Sequence, residues 1–287
     1  MRNLILNADD FGLTRGINEG IVRAHRDGIL TSATIMASAD AFDHAVEQSK
    51  QNPGLGVGCH LVLVGGTAVA PVEEIPTLAS KDGRLPDSLG IFVTRLSTGR
   101  IRLKEIEREL RAQILKIRSA GIEPTHLDTH KHTHAHPAVM EAIGRVATEF
   151  GITRVRKPME DLQDSWSSTR GESGISIELM AAAAARAATP LFHSVARRYG
   201  LLSPDHFLGL AMTGHLGPEA LGRLIRSLQE GTTEIMLHPG LCDSELQKVE
   251  TRLLQQRDAE MRALIDPGVK SAIKERGIRL ITYAGLN

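Results

Sequence analysis

Residues 125–156 read THLDTHKHTHAHPAVMEAIGRVATEFGITRVR. Residues 125–130 have the make-up of a short strand and the start of its loop. Pro137 suits the first turn of a helix. Val139, Ala142, Ile143 and Val146 then recur at helical spacing until Gly151 stops it. Residues 152–156 return to an apolar, β-branched run. Strand, helix and strand in so short a span form the repeating unit of a parallel sheet.

The same alternation extends in both directions. Residues 4–8 are an apolar run suited to a buried strand, followed by Ile17, Ile21 and Ala24 on one helical face up to Gly28. Strands are expected at 32–39 and 55–64, with a helix at 41–52 between them. An amphipathic helix at 101–120 carries Ile106, Leu110, Ile114 and Ile117 and ends at Gly121. Further strands are expected at 206–212, 234–238 and 278–283, with helices at about 218–229 and 246–265. About eight strands alternating with helices predict an α/β fold, a distorted (β/α) TIM-like barrel, in preference to an open doubly wound sheet. One domain over 1–287 is expected, with long insertions at about 65–99 and 159–205. Loops of that length usually serve function. The first reads as irregular. The second has a polar start at 161–173 and then an alanine run that favours helix.

Composition narrows the function. Apolar residues make up 41% of the 287, enough for a substantial core, while formal net charge is zero and aromatics only 3%. That balance excludes the basic, stacking-rich surface of a nucleic-acid binder. Cys59 and Cys242 form no CxxC pair, as expected in a reducing cytosol. The N-terminal apolar run is too short for a signal peptide, and no run of about 20 apolar residues occurs. A cytoplasmic protein is expected.

Residues 125–137 hold five of the twelve histidines, with Asp128, all on even positions. In an extended segment they would line up on one face. Imidazoles beside a carboxylate are the usual ligands of zinc and related divalent ions. On the barrel scheme other chemical residues fall at strand ends: Asp9 and Asp10 after strand one, His60 in strand three, His130 after strand four, Arg156 at the end of strand five, and His238 after 234–237. Strand ends of one sense meet on one rim, where barrel enzymes do their chemistry. Blander readings exist for each. Asp9 and Asp10 could make a turn and a helix cap, His60 could be a core histidine, His238 could cap a turn, and Arg156 could belong to a surface ion pair. Together, one Asp and two His on a divalent ion would leave room for water and a substrate oxygen. A second carboxylate could serve as base, and a histidine across the site as acid for a leaving amine.

Several motifs together resemble the YdjC-like family of metal-dependent carbohydrate deacetylases. They are Asn7-Ala8-Asp9-Asp10-Phe11-Gly12, Gly16-Ile17-Asn18, Gly28-Ile29-Leu30-Thr31-Ser32, Gly58-Cys59-His60-Leu61, Thr125-His126-Leu127-Asp128-Thr129-His130-Lys131-His132 and Glu234-Ile235-Met236-Leu237-His238-Pro239-Gly240. The resemblance implies a distorted barrel, one divalent metal ion (Mg²⁺ or Zn²⁺), removal of acetyl from an N-acetylated sugar, and a homodimer, which is common in the family. Carried over by position, Asp10, His60 and His130 would be metal ligands, Asp9 the base and His238 the acid. His132 and His134 would touch substrate or support the ligands, and Arg156 is placed with them. Lys131 stands where the family often has a further histidine, so it is not expected to be a ligand.

Within the family, Leu61-Val62-Leu63-Val64-Gly65-Gly66, Glu74-Ile75-Pro76 and Asp205-His206-Phe207-Leu208-Gly209-Leu210 resemble the hopanoid-biosynthesis-associated branch. That branch implies an N-acetylglucosaminyl group on a polycyclic lipid, and the other branch a chitooligosaccharide. The alanine run, with Leu201, Leu202, Arg186, Arg197 and Arg198, would either touch a bilayer peripherally or form a lid helix on the barrel. Two rival functions remain. A metal-dependent phosphoester hydrolase would want a second metal and more basic contacts than Arg156 and Lys157 supply. A non-catalytic metal- or sugar-binding protein would need neither Asp9 nor His238.

Overall fold

The computed structural model describes residues 1–160, 186 and 188–287. Strand β1 (Arg2–Phe11) is buried at every position from Leu4 onward. Burial on both faces is what a parallel sheet demands of its middle strand, which explains a continuous apolar run where an alternation might stand. Along one edge of β1 runs β6 (Gly231–Leu237), paired from Arg2 to Ala8. The other edge is shared. There β7 (Arg279–Leu280) pairs with Asn3 and Leu4, and β2 (Ser32–Ile35) with Asn7, Ala8 and Phe11. Outward from β2 lie β3 (Gly56–Leu61) and β4 (Leu127–Thr129), and outward from β6 lies β5 (His206–Leu208). Every pairing is parallel. The sheet curls into a half-barrel with helices around it, the barrel-like α/β fold that the alternation implies.

Seven strands stand among the described residues where about eight are expected. Residues 152–156 are extended but join the sheet only by single bridges, Val155 to Leu127 and Arg154 to Leu202. Pro158 follows closely on the segment itself and Pro204 on its partner Leu202, and proline cannot donate to a ladder. The segment therefore spans from β4 toward β5 without becoming a strand.

The helices start and stop where local chemistry directs. The Thr14 hydroxyl accepts from the Ile17 N–H at 3.2 Å and opens α1 (Arg15–Arg26), whose Ile17, Ile21 and Ala24 are buried. Next come α2 (Phe42–Gln51), α3 (Leu89–Ser97), α4 (Leu103–Ser119) and α5 (Pro137–Phe150). They are followed by α6 (Thr189–Arg198), α7 (Pro218–Ser227), α8 (Gln255–Ile265) and α9 (Pro267–Glu275). The single helix expected over 246–265 is instead a 3₁₀ turn at Leu246–Lys248 followed by α8. Asp266 caps α9 through two backbone N–H groups ahead of Pro267, a start signal that the reading of the sequence passes over.

The stretch 65–99 is irregular over 65–88, as expected, but forms a hydrogen-bonded arch and ends in a helix that the expectation lacked. Its arms are tied by Gly65 N–H to Pro86 C=O (2.9 Å), Leu85 N–H to Gly66 C=O (2.9 Å) and Ala68 N–H to Gly83 C=O (2.8 Å), and α3 closes it. The arch is fixed by Glu105 and Glu109, four residues apart on one buried face of α4, while Gln113 on the same face bonds the Val62 backbone and Glu109. Glu105 Oε2 accepts from the Thr77 N–H (2.6 Å), the Thr77 hydroxyl (2.8 Å) and the Leu78 N–H (3.0 Å). Glu109 accepts from the Val69 and Ala70 N–H groups, both at 2.9 Å, while burial raises its carboxyl pKa above the ordinary value. Carboxylates thus satisfy backbone donors that a loop cannot satisfy for itself.

In the second insertion, residues 161–185 and 187 lie outside the described residues, and with them the polar start at 161–173 and the alanines at 181–185. Beyond them α6 packs on α5 through Phe192, Val195 and Ala196, and the Tyr199 hydroxyl donates to Glu141 at 2.6 Å. No helix among the described residues is long and apolar enough to cross a membrane.

Two mutations test this packing. Glu105→Ala leaves the arch's buried N–H groups unpaired and should destabilise the fold by about 2–3 kcal/mol in urea denaturation; no change would mean the arch is not held there. A Cβ at Gly20 would lie 2.5 Å from Gly240 Cα. Helix propensity alone favours Gly20→Ala by about 1 kcal/mol. The clash with backbone should reverse that sign and cost about 1–3 kcal/mol net, so a stabilised variant would show that the loop after β6 is not seated on α1.

Candidate metal centre

The C-terminal ends of β1, β3, β4 and β6 open on one cleft of roughly 930 Å³, where Asp9, Asp10, His60, His130 and His238 all appear in the wall. This is the face on which (β/α) barrels carry chemistry. A bulge brings the two aspartates there together. Between Ala8, opposite Ala33, and Phe11, opposite Ile35, β1 has one residue more than β2, and Asp10 takes φ +65°. In a regular strand the two side chains would face opposite ways. The turn beyond is held by Gly12, at φ +104°, whose N–H donates to Asn18 Oδ1 at 2.7 Å, while Asn18 Nδ2 donates to the Ala41 carbonyl at 3.1 Å. Both the bulge and the buried Asn18 belong to the Asn7–Gly12 and Gly16–Asn18 motifs.

Three atoms form a triangle at the cleft floor. His60 Nε2 lies 3.5 Å from Asp10 Oδ1, His130 Nδ1 lies 3.4 Å from the same oxygen, and the two nitrogens are 3.3 Å apart. Such edges suit three ligands of one tetrahedral ion bound at about 2.1 Å. Asp10 Oδ1 is buried and has no hydrogen-bond partner. The donor set and this orphaned oxygen fit a divalent metal ion.

The surroundings orient the triangle. Asp128, opposite His60 in the β3–β4 register, takes the His60 Nδ1–H at 2.8 Å and leaves Nε2 for the cleft. A carboxylate behind a ligating imidazole is the usual support of a metal site. Arg257, from α8, donates through Nη2 to Asp10 Oδ2 at 2.6 Å, leaving Oδ1 for the triangle. Burial alone would raise the Asp10 carboxyl, but Arg257 and His130 hold it well below the ordinary range. Burial alone would keep the His60 ring neutral, but Asp128, Asp9 and Asp10 bring its pKa to about 9. The carboxylates that favour that proton equally favour a metal cation.

Arg156 is wholly buried and joins three carboxylates, which removes the surface ion-pair reading. It meets Asp9 bidentately at 2.7 and 2.6 Å, Asp128 at 2.8 Å and Glu234 at 2.8 Å. Burial works against the charge of Asp9, yet Arg156 keeps its carboxyl far below the ordinary range. Arg156 is absent from the cleft wall, so it supports Asp9 from beneath and does not touch what binds there. A second grouping, Asp9 with His60 and Asp128, already has the Arg156 guanidinium between its two carboxylates.

The histidine run departs from an extended segment. β4 ends at Thr129, and His130–Ala135 is a 3₁₀ turn in which Lys131 (φ +54°) and His132 (φ +51°) are left-handed. Its even positions therefore scatter. Asp128 and His130 serve the triangle, and His132 lines the cleft against Phe207. His134 is buried: its Nε2–H donates to the Arg156 carbonyl (3.2 Å) and its Nδ1 accepts from the Thr129 hydroxyl (2.6 Å), so it fixes the turn and has no access to substrate. His126 stacks on Tyr283 with ring centroids 3.6 Å apart, and His136 caps α5.

His238 follows β6 and lines the cleft with its Nδ1 unpartnered, while desolvation lowers its pKa to about 4. Its backbone N–H donates to Glu260 Oε2 at 2.6 Å, and Glu260 Oε1 accepts from the Gly214 N–H at 3.0 Å. Arg257 and Glu260, one turn apart on α8, thus hold Asp10 and His238. The sequence gives no sign of either, because polar residues at that spacing read as a solvated helix face. Asp128 stands in the even-numbered run, two positions before His130 at the end of β4, but the sequence reading gives it no role of its own.

A half-barrel with a two-histidine, one-aspartate triangle at its C-terminal rim defines a barrel-like α/β protein with a candidate metal site. Family comparison agrees. The YdjC-like protein family matches residues 3–275, and the chain belongs to that family. It is 33% identical over 284 residues to a carbohydrate deacetylase of Brevibacillus brevis, covering 99% of each chain. It is 34% identical to a chitooligosaccharide deacetylase of Salmonella typhimurium, covering 97% of this chain and 96% of that one. A crystal structure of a candidate cellobiose-phosphate cleavage protein from Enterococcus faecalis superposes with a TM-score of 0.76 at 26% identity, covering 98% of this chain and 97% of the other.

If the triangle holds the ion, His60→Ala and Asp10→Asn should abolish stoichiometric Zn²⁺ or Mn²⁺ after dialysis, as read by elemental analysis. Asp128→Asn, which only orients His60, should weaken the metal about 10–100-fold. Full metal content in His60→Ala would place the ion elsewhere.

Proposed function

We propose that the protein is a metal-dependent hydrolase that removes the acetyl group from an N-acetylated sugar. The observation that carries this reading is the metal triangle beside a second, separately held carboxylate (Asp9) and an unpartnered imidazole (His238) in one cleft. The names of the relatives support it, and a polar cleft of that size suits a small oligosaccharide. Asp10, His60 and His130 would hold one divalent ion, which when bound polarises the acetyl carbonyl and lowers the pKa of water beside it. Asp9, kept ionised by Arg156, is the base toward that water. Asp9 passes the water's proton on to His238 and ends the cycle ionised. His238, neutral at neutral pH, takes up a proton during the reaction and gives it to the amine nitrogen as the C–N bond breaks. His132 would contact the sugar.

A chitooligosaccharide is the first substrate to try. A lipid-linked N-acetylated sugar is the second, favoured by Leu89 and Ile91, 40% and 50% exposed on α3 just beyond Asp87 of the cleft wall. Acetate release from diacetylchitobiose and from an N-acetylglucosaminyl hopanoid, before and after chelation with metal add-back, tests both. Chelator-sensitive release from one of them is expected, and none from verified metal-loaded protein would overturn the reading. Asp9→Asn should keep its metal and lose turnover by about 10²–10⁴-fold. Normal turnover in that variant would remove Asp9 as base.

A further inference from the structure

Four buried side-chain atoms without a hydrogen-bond partner belong to residues of the cleft wall: Asp10 Oδ1, His132 Nδ1, His238 Nδ1 and Arg257 Nη1. The first belongs to the metal triangle, and the two imidazoles already have parts in the reaction. Arg257 is left over. Its side chain is 1% exposed and fixed at two of three nitrogens, with Nε donating to the Leu253 carbonyl at 3.2 Å and Nη2 to Asp10 Oδ2 at 2.6 Å. Its own carbonyl accepts from the Gly240 N–H at 3.2 Å. A planar guanidinium held at two corners has its third corner aimed. A charged N–H buried without an acceptor is costly unless a ligand supplies one.

We propose that Arg257 is a catalytic residue whose Nη1 donates to the carbonyl oxygen of the substrate's acetyl group. This deepens the deacetylase reading and rests on it. As the water oxygen bonds to the carbonyl carbon, the C=O π pair moves onto the carbonyl oxygen, and Nη1–H donates to the charge that gathers there without giving up its proton. Asp9 takes the water's first proton and passes it to His238. When the pair returns, the C–N bond breaks, the amine leaves with that proton from His238, and the acyl group departs as acetic acid carrying the water's second proton, which it loses to solvent. A donor that strengthens as charge develops acts on kcat more than on KM. Lysine could not replace this arginine, because one ammonium cannot serve Asp10 and the substrate in two fixed directions.

The test uses metal-loaded parent, Arg257→Lys and Arg257→Met, with metal content, diacetylchitobiose kinetics and inhibition by acetate measured on each. The proposal expects Arg257→Lys, whose ammonium can still hold Asp10, to retain the ion, its kcat to fall about 10²–10³-fold with KM little changed, and acetate to inhibit it several-fold more weakly, while Arg257→Met weakens the ion as well. It is overturned if the kcat of Arg257→Lys stays near the parent's, if its lost activity tracks lost metal, or if its inhibition by acetate is unchanged. A crystal of the metal-loaded parent with acetate decides the matter independently, even should the variants not fold. An acetate oxygen on Arg257 Nη1 supports the proposal, and acetate seated elsewhere overturns it. A parent that releases no acetate defeats the deacetylase reading itself, whereas an active parent with an equally active Arg257→Lys defeats only this inference.

Discussion

One buried guanidinium organises the inside of the half-barrel. Arg156 reaches in from the bridging segment 152–156 and joins Asp9 of β1, Asp128 of β4 and Glu234 of β6, while Glu234 also accepts from the Tyr283 hydroxyl near the C-terminus. Without it, three carboxylates would face one another in a poorly solvated space, where two like charges 4 Å apart repel by about 4 kcal/mol at an effective dielectric of 20. Even with it, burial leaves Glu234 with a pKa of about 7. Such a cluster is not a cheap source of stability, since desolvation offsets much of the attraction. What it fixes is position. Asp9 is set by two hydrogen bonds, and Asp128, held from one side by Arg156, in turn sets the ring of His60.

Strain lies where this network meets the cleft. Among the described residues, Asp10, Lys131 and His132 are the non-glycine residues with positive φ, and all three line the cleft. Each such residue costs on the order of 1–3 kcal/mol and persists only when its surroundings over-determine it. Here they do. Asn18 ties the turn after Asp10, and the Thr129 hydroxyl takes the His134 N–H at 3.1 Å at the far end of the histidine turn. The bulge that strains Asp10 is also what brings adjacent aspartates to one rim.

Much of this was legible from residue order alone, for a definite reason. In a parallel sheet, strand ends of one sense share a rim, so Asp9, Asp10, His60, His130 and His238 could be placed together from strand positions without knowing any contact. The even spacing of the histidine run led to Asp128 and His130 but misled beyond Thr129, where the chain leaves the strand and period-two reasoning no longer applies. Arg156 looked like any rim cation, since burial depends on what the barrel closes around. The polar residues that do most to hold the site, Arg257 and Glu260 on α8 and Glu105 and Glu109 on α4, sit on helix faces. There the sequence cannot distinguish a buried acceptor of loop N–H groups from a solvated charge.

The two walls of the cleft are coupled to its centre differently. Gly65, Gly66, Arg84 and Asp87 stand on the arch, which is braced against α4 and makes no described bond to a metal-site carboxylate. Residues 249–253 form another part of the wall, and there Leu253 gives its carbonyl to Arg257, the residue that fixes Asp10. A change in the arch can therefore reshape what the cleft admits while the metal triangle stays as it is. A change near Leu253 moves Arg257, and through it Asp10 Oδ1 of the triangle. Substrate range can diverge along the first wall at little cost to chemistry, and the second is constrained by the chemistry it supports.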